Sequence, residues 1–198
     1  MTEKEKMLKQ LTYDANYDEE LLRERAAAKE LCYDYNQLRP SDTVGQRQLM
    51  QKILGKTKKE FTIVAPFYCD YGYNIEVGEN FFANHNLIIL DAGRVKFGDN
   101  VFIAPDCGFH TAGHPIDFAR RNAGLEYAYG ITVGDNVWFG AGVQVMPGVT
   151  IGSNVVIGGG SVVVRDIPDN SVAVGNPCKV IRTITDKDKE TCWDRPLE

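Results

Sequence analysis

From Ile131 to Val164 the chain repeats itself every six residues: ITVGDN VWFGAG VQVMPG VTIGSN VVIGGG SVVV. An aliphatic or aromatic residue returns at Val133, Phe139, Val145, Ile151, Ile157 and Val163. A second column four residues on holds Val137, Val143, Val149, Val155 and then Ser161. The apolar pieces are only two to four residues long and are joined by corners of Gly, Asn, Asp and Pro. Parallel strands in an ordinary α/β sheet need crossovers of about a dozen residues, and corners this tight leave no room for them. Each piece must instead pair with the next full turn of a coil, a parallel β-helix. If three hexapeptides close one triangular turn, partners lie 18 residues apart: Val133 over Ile151, Phe139 over Ile157, Val145 over Val163. The spacing itself carries no handedness; the usual crossover preference is right-handed.

The same rule reaches back to about Phe61, through Val77, Ala83 and Ile89 and through Phe97, Ile103 and Phe109, with Phe81, Leu87, Val101 and Cys107 in the second column. Two interruptions break it. Asp91-Ala92-Gly93-Arg94 shifts the phase by two residues, and residues 110–130, HTAGHPIDFARRNAGLEYAYG, drop the apolar columns altogether. An excursion of that length from a rigid scaffold is where function is expected.

The first sixty residues follow a helical rule. Asp18 or Asn16 is expected to cap a helix running to about Leu38, with Leu21, Ala28, Leu31, Tyr35 and Leu38 on one face. Ser41 would cap a shorter helix carrying Val44, Leu49, Ile53 and Leu54, with Gly55 just past its end. Two helices cannot hold a core alone, so this unit is expected to pack on the coil.

A net charge of −5 argues against non-specific nucleic-acid binding. No apolar run approaches the ~20 residues that span a bilayer, and the start, MTEKEKMLKQ, lacks the apolar core of a secretory signal. Five scattered cysteines (Cys32, Cys69, Cys107, Cys178, Cys192) without a CxxC pair read as reduced thiols of a cytoplasmic protein, Cys107 as a small core residue.

The hexapeptide run, HTAGHPID, FYCDYGYNIEVGENFFANHN, VAVGNPCKVIR and the N-terminal MLKQLTYDANYDEELLRERAAAKELCYDYNQLRPSD together resemble the maltose and galactoside O-acetyltransferases, nearest the maltose branch. The resemblance covers nearly the whole chain. It implies a mainly β fold, a left-handed parallel β-helix over residues 61–185 with its catalytic loop at 110–130. The helical appendage occupies residues 1–60 and a tail 186–198. It further implies a homotrimer with acetyl-CoA held between adjacent subunits, a sugar acceptor, and no metal.

Residue by residue, the family context makes His114 the general base, since an imidazole can deprotonate a sugar hydroxyl near neutral pH. Asn84 corresponds to a residue at the reacting centre, either donating to the oxyanion or orienting the base. Ala141 and Gly159, 18 residues apart, would occupy equivalent corners and leave a groove for the pantetheine arm. Val164, Arg165, Lys179 and Arg182 match contacts to the nucleotide end of CoA, Lys179 replacing the arginine of galactoside enzymes. Trp138 and Ala104 match further cofactor-lining positions, and Asp14, Asp70 and Asp91 positions near the acceptor. Position 92 is alanine where galactoside enzymes carry aspartate. Glu126 is expected to pair with Arg120 or Arg121 and receives no catalytic role.

The acceptor stays open among glucose, maltose, a galactoside, a cell-envelope sugar and a xenobiotic. One rival is a zinc enzyme resembling the γ-class carbonic anhydrases, using His85, His110 and His114; the 25-residue step from His85 to His110 does not stack on one edge. A non-catalytic solenoid is the other.

Overall fold

The computed structural model describes residues 1–190. Three parallel sheets wind about one axis and form three faces of a coil. The first face stacks Lys56–Thr57, Ile75–Val77, Val95–Phe97, Ile131–Val133 and Thr150–Ile151. The second stacks Phe61–Ile63, Phe81–Ala83, Phe102–Ile103, Val137–Phe139, Val155–Ile157 and Ser171–Val174, and ends on the antiparallel Lys179–Thr183. The third stacks Phe67–Cys69, Leu87–Leu90, Gly108–His110, Gln144–Val145 and Val162–Val163.

The expected register is present: Val133 pairs with Ile151, Phe139 with Ile157 and Val145 with Val163. The 18-residue turn is not general, however. Phe67 pairs with Leu87 and Ile89 with Phe109, each 20 apart, because the corners at Asp70–Asn74 and Asp91–Arg94 carry extra residues. The last turn is shorter, with Ile157 on Ala173, 16 apart. The inward columns form one core, and Phe81, Phe97, Phe109 and Phe139 run down it with ring centroids 5.1, 4.9 and 5.2 Å apart. Edge-on and tilted ring pairs add ~0.5–1.5 kcal/mol each beyond their buried area.

The corner between the first and second faces is built on left-handed asparagines: Asn80, Asn100, Asn136, Asn154 and Asn170 have φ of 54–58°. Asparagine tolerates this region better than other side chains because its short amide bonds locally. Here the amides also bond to one another, Asn80 to Asn100 at 3.0 Å and Asn100 to Asn136 at 3.1 Å.

At the N-terminus, helix α1 (Glu3–Leu8) is closed by a reciprocal Thr2–Glu5 capping box. It was not expected from the sequence, whose six residues show little apolar periodicity. Helix α2 (Glu19–Gln37) is capped by Asp18 and α3 (Thr43–Ile53) by Asp42, not Ser41. Gly55 does not take a left-handed turn; a Cβ there would sit 2.0 Å from the Tyr73 carbonyl, so close approach demands glycine. Val44 is exposed instead of packed. Ala28, Cys32, Tyr35, Met50, Ile53 and Leu54 join the coil's own core, which makes the helical unit the coil's cap. The coil's first strand, Lys56–Thr57, precedes the expected start near 61. Cys32, Cys69, Cys107 and Cys178 are free and buried. Cys192 and the end of the tail lie outside the described residues.

Candidate active site

The interrupting loop leaves the corner between the third and first faces and folds into a small antiparallel sheet. Ala112–Gly113 pairs with Leu125–Ala128, which pairs on its far side with Tyr13–Asp14 from the N-terminal segment. At the tip is α4 (Phe118–Asn122), capped by Asp117, and Arg121 donates back to the Pro115 and Ile116 carbonyls. His114 follows Gly113, whose missing side chain makes room for Tyr127: a Cβ there would meet that ring at 2.3 Å.

The His114 Nδ1 lies 3.1 Å from the Leu125 carbonyl. A carbonyl can only accept, so the hydrogen sits on Nδ1 and Nε2 presents a lone pair. The ring is about half exposed. Glu126 does not pair with Arg120 or Arg121 as expected. Its Oε2 accepts the Tyr13 hydroxyl at 2.9 Å, and its Oε1 lies 3.7 Å from His114 Nε2. The sequence hid this because Tyr13 and Glu126 are 113 residues apart and meet only through strand pairing.

The three aspartates expected near an acceptor separate. Asp14 pairs across from Leu125, and only its Oδ1 is used, accepting from the Asn16 and Tyr17 N–H groups. Asp70 is half-buried between two adjoining clefts of about 460 and 360 Å³, shared with Lys29 against α2. Burial raises its pKa, partly offset by the Arg25 charge. Asp91 is different: it is fully buried, and its carboxylate accepts from the Asp70, Tyr71 and Asn74 N–H groups. Burial pushes its pKa up to about 6 against those hydrogen bonds. It pins the Asp70–Asn74 corner and offers no surface to an acceptor, which corrects its placement among the acceptor contacts.

The corner between the second and third faces is regular. Asn84, Ala104, Ala141 and Gly159 occupy successive turns of it, linked by backbone bonds from Asn84 N to Ile103 O (2.9 Å), Ala104 N to Phe139 O (3.0 Å) and Gly160 N to Ala141 O (2.8 Å). Ala141 and Gly159 are exposed on successive turns, and a Cβ on Gly159 would lie 3.0 Å from the Ala141 carbonyl oxygen. The Asn84 Oδ1 accepts the His85 N–H at 2.8 Å, leaving its amide Nδ2 to donate elsewhere. Lys179 pairs with Val174 at the top of this edge. Arg182, opposite Val172, is engaged: its two terminal nitrogens bond both oxygens of Asp188 at 2.8 and 2.9 Å. Trp138, 54% exposed, projects from the second face. Val164 and Arg165 are exposed on the other edge, the one that carries the His114 loop.

Most of the sequence-predicted residues therefore fall on two edges separated by the third face, with Trp138 and Arg182 on the second face and Asp14 in the sheet built by the loop. Strands of the third face are two to four residues long, and at about 3.3 Å per residue the edges lie about 7–13 Å apart before the corners are added. The three histidines likewise have separate partners: Ala65 O for His85, Gln144 for His110 and Leu125 O for His114. Among the described residues, no three His, Cys, Asp or Glu side chains are grouped to hold a metal ion. No described helix is long and apolar enough to cross a membrane.

The maltose acetyltransferase hexapeptide capping motif matches residues 6–58, and the bacterial transferase hexapeptide motif matches residues 130–165. A Saccharomyces cerevisiae protein named "putative acetyltransferase" is 59% identical over 179 residues, 90% of this chain and 91% of that protein. The crystal structure of a maltose O-acetyltransferase from Clostridium difficile superimposes with a TM-score of 0.92 at 49% identity, covering 94% of this chain and 99% of that one. A galactoside acetyltransferase in complex with coenzyme A superimposes at 0.93 with 40% identity, covering 98% and 96%. Capping helices, hexapeptide coil and interrupting histidine loop thus occur together and in order, and the chain belongs to the maltose and galactoside O-acetyltransferase family of hexapeptide-repeat acyltransferases.

Proposed function

We propose that this acetyltransferase moves the acetyl group of acetyl-CoA directly to a sugar hydroxyl, with His114 as general base. The observation that carries the reading is the His114–Leu125 hydrogen bond, which fixes a tautomer that leaves the Nε2 lone pair of a half-exposed ring without a donor at the head of the interrupting loop. Acetyl-CoA supplies the activated acyl thioester. His114 Nε2 takes the proton from the attacking hydroxyl, and the imidazolium then returns it to the departing sulfur, giving an acetyl ester and free CoA thiol. In this reading the Asn84 amide of a neighbouring copy donates to the oxygen on which negative charge develops, a contribution of about 2.7–4 kcal/mol for one such donor.

Small corners at Ala141 and Gly159 suit a pantetheine arm lying against the backbone, with Ala104 below and Lys179 above for the nucleotide end. Because Arg182 is already bound to Asp188, Lys179 is the freer phosphate ligand on that edge. A CoA-bound relative supports acetyl-CoA as donor.

A second copy of the chain completes the site in this reading. One chain holds His114, Val164 and Arg165 on one edge and Asn84, Ala141 and Gly159 on another. The outward rows point the same way. The first face presents Lys56, Glu76, Lys96, Thr132 and Thr150, whereas the second presents Thr62 and then the apolar run Phe82, Phe102, Trp138, Val156 and Val172. Apolar outward rows of this kind mark contact surfaces, and a homotrimer that joins one edge to the other edge of its neighbour buries Trp138 and closes as a ring. Left-handed winding and a cytoplasmic setting, suited to four buried free thiols, belong to the same reading.

Release of CoA thiol with glucose, maltose, methyl galactoside and an amine control tests the proposal. Sugar-dependent release that His114→Ala abolishes, with CoA binding intact, is the expected result. Undiminished release in that variant sinks it.

A further inference from the structure

Glu126 stands beside the base without a task in the chemistry above. Its carboxylate is clamped from one side. The donor, Tyr13, is 1% exposed, and burial, reinforced by the Glu126 charge, drives its phenol far above the ordinary range, so it remains a neutral donor. The clamp rests on backbone pairing of Tyr13 with Glu126, and the Glu126 side chain is only 14% exposed.

The other oxygen is the informative one. Oε1 lies 3.7 Å from Nε2, the nitrogen that carries the lone pair. Both atoms are acceptors, and the separation is longer than a hydrogen bond. Oε1 has no hydrogen-bond donor among the described residues, and Asp14 and Asp70, which also approach the loop, are acceptors themselves. Two acceptors side by side, Glu126 within a strand and His114 just past the strand paired with it, form a receptor for two donors. A sugar supplies them as two hydroxyls on the same or nearby carbons of its skeleton.

We propose that Glu126 is a catalytic residue of the transfer: its Oε1 accepts a hydrogen bond from the hydroxyl neighbouring the one acetylated, and so seats the reacting hydroxyl on His114 Nε2. The acceptor class is then a polyol with two neighbouring hydroxyls, and an isolated alcohol is a poor substrate. This rests on the reading of His114 as base and adds what that base alone cannot do, which is to choose among hydroxyls. A purely structural carboxylate would serve only Tyr13, and glutamine could accept that hydroxyl as well. Glutamine differs at Oε1, where an N–H would face the hydroxyl that needs an acceptor.

The test uses the intact protein with the best acceptor among glucose, maltose and methyl galactoside, and with its monodeoxy analogues. In the wild type, loss of one particular hydroxyl is expected to lower kcat/KM by about 100-fold, while loss of the others changes it little. Glu126→Gln is expected to lose about as much on the parent sugar and little more on that deoxy sugar, because both changes remove the same contact. Calorimetric CoA binding stays at the wild-type value. The proposal is overturned if every deoxy sugar reacts within about threefold of the parent, or if the two losses multiply. The deoxy series needs no variant, so a Glu126→Gln that fails to fold leaves the proposal testable, and Tyr13→Phe supplies a milder loss of the clamp. If His114→Ala keeps its activity, the base reading has failed; if it is inactive while the losses multiply, only the Glu126 assignment has.

Discussion

At the edge between the second and third faces, successive corners hold Asn84, Ala104, Ala141 and Gly159, small or amide residues in strict succession. At the edge between the third and first faces, the corners hold Asp70–Asn74, Asp91–Arg94, the loop through residue 130, the short Met146–Val149 turn, and Val164-Arg165. Both edges belong to one coil with one core. In its later turns the regular edge exposes the small residues Ala141, Gly159 and Gly160, which suits a long, flexible, largely apolar arm. The interrupted edge displays side chains held by hydrogen bonds that the coil does not use, which suits proton transfer and hydroxyl recognition. In the proposed reading, periodicity supplies the cofactor track and departure from periodicity supplies the chemistry.

Substitutions can break this division in order of size. His114→Ala should lower kcat by about 10²–10⁴-fold, the range of a positioned general base, with CoA affinity unchanged by calorimetry. On the regular edge, Ala141→Trp should do the reverse. By filling the track it should weaken CoA binding, on the order of 100-fold by loss of complementarity, while the melting temperature stays close to wild type because Ala141 already carries a Cβ and is exposed. A large effect of His114→Ala on CoA affinity would erase the distinction.

Smaller effects concern stability. Asp91→Asn leaves two acceptor bonds possible but sets an amide N–H against the Asn74 N–H, costing about 1–3 kcal/mol in denaturant unfolding near neutral pH. The pH dependence has a defined sign. The folded-state pKa of Asp91 is raised from 3.8 to about 6, so the folded protein binds a proton in that window that the unfolded chain has lost. Wild-type stability relative to Asp91→Asn should therefore rise as pH falls from about 6 towards 4, by up to roughly 3 kcal/mol. A difference that shrinks on acidification would contradict the burial argument. Smallest of all, Asn136→Ala at the asparagine corner (φ 58°) should cost about 1 kcal/mol, from left-handed strain and a lost amide bond.

The coil was legible because its signal is local and repeated: the 131–164 columns specify their own partners, and all three expected pairs are present. The small corners at Ala141 and Gly159 followed from the same period. The early turns were harder, since two extra corner residues change the period without changing the apolar columns. What remained illegible depends on pairing across the chain. Tyr13 meets Glu126 only when the N-terminal segment joins the loop's sheet, and no local pattern marks either residue. Asp91 matched a position near the acceptor, yet three backbone N–H groups from the preceding turn enclose it. His114 needed its family context to stand out, and only the fold supplied its tautomer.

The central claim is that one chain carries two half-sites that a neighbouring copy joins. Mixing two impaired variants, His114→Ala and Ala141→Trp, tests it most directly after co-expression or co-refolding at equal amounts, assayed at acetyl-CoA too dilute to load the filled track. In a closed ring of heterologous contacts, about a quarter of the junctions then pair an intact histidine edge with an intact track, so the mixture should regain about a quarter of wild-type activity. If each chain contained a whole site, every chain would carry one broken half, and the mixture would remain as impaired as its parents.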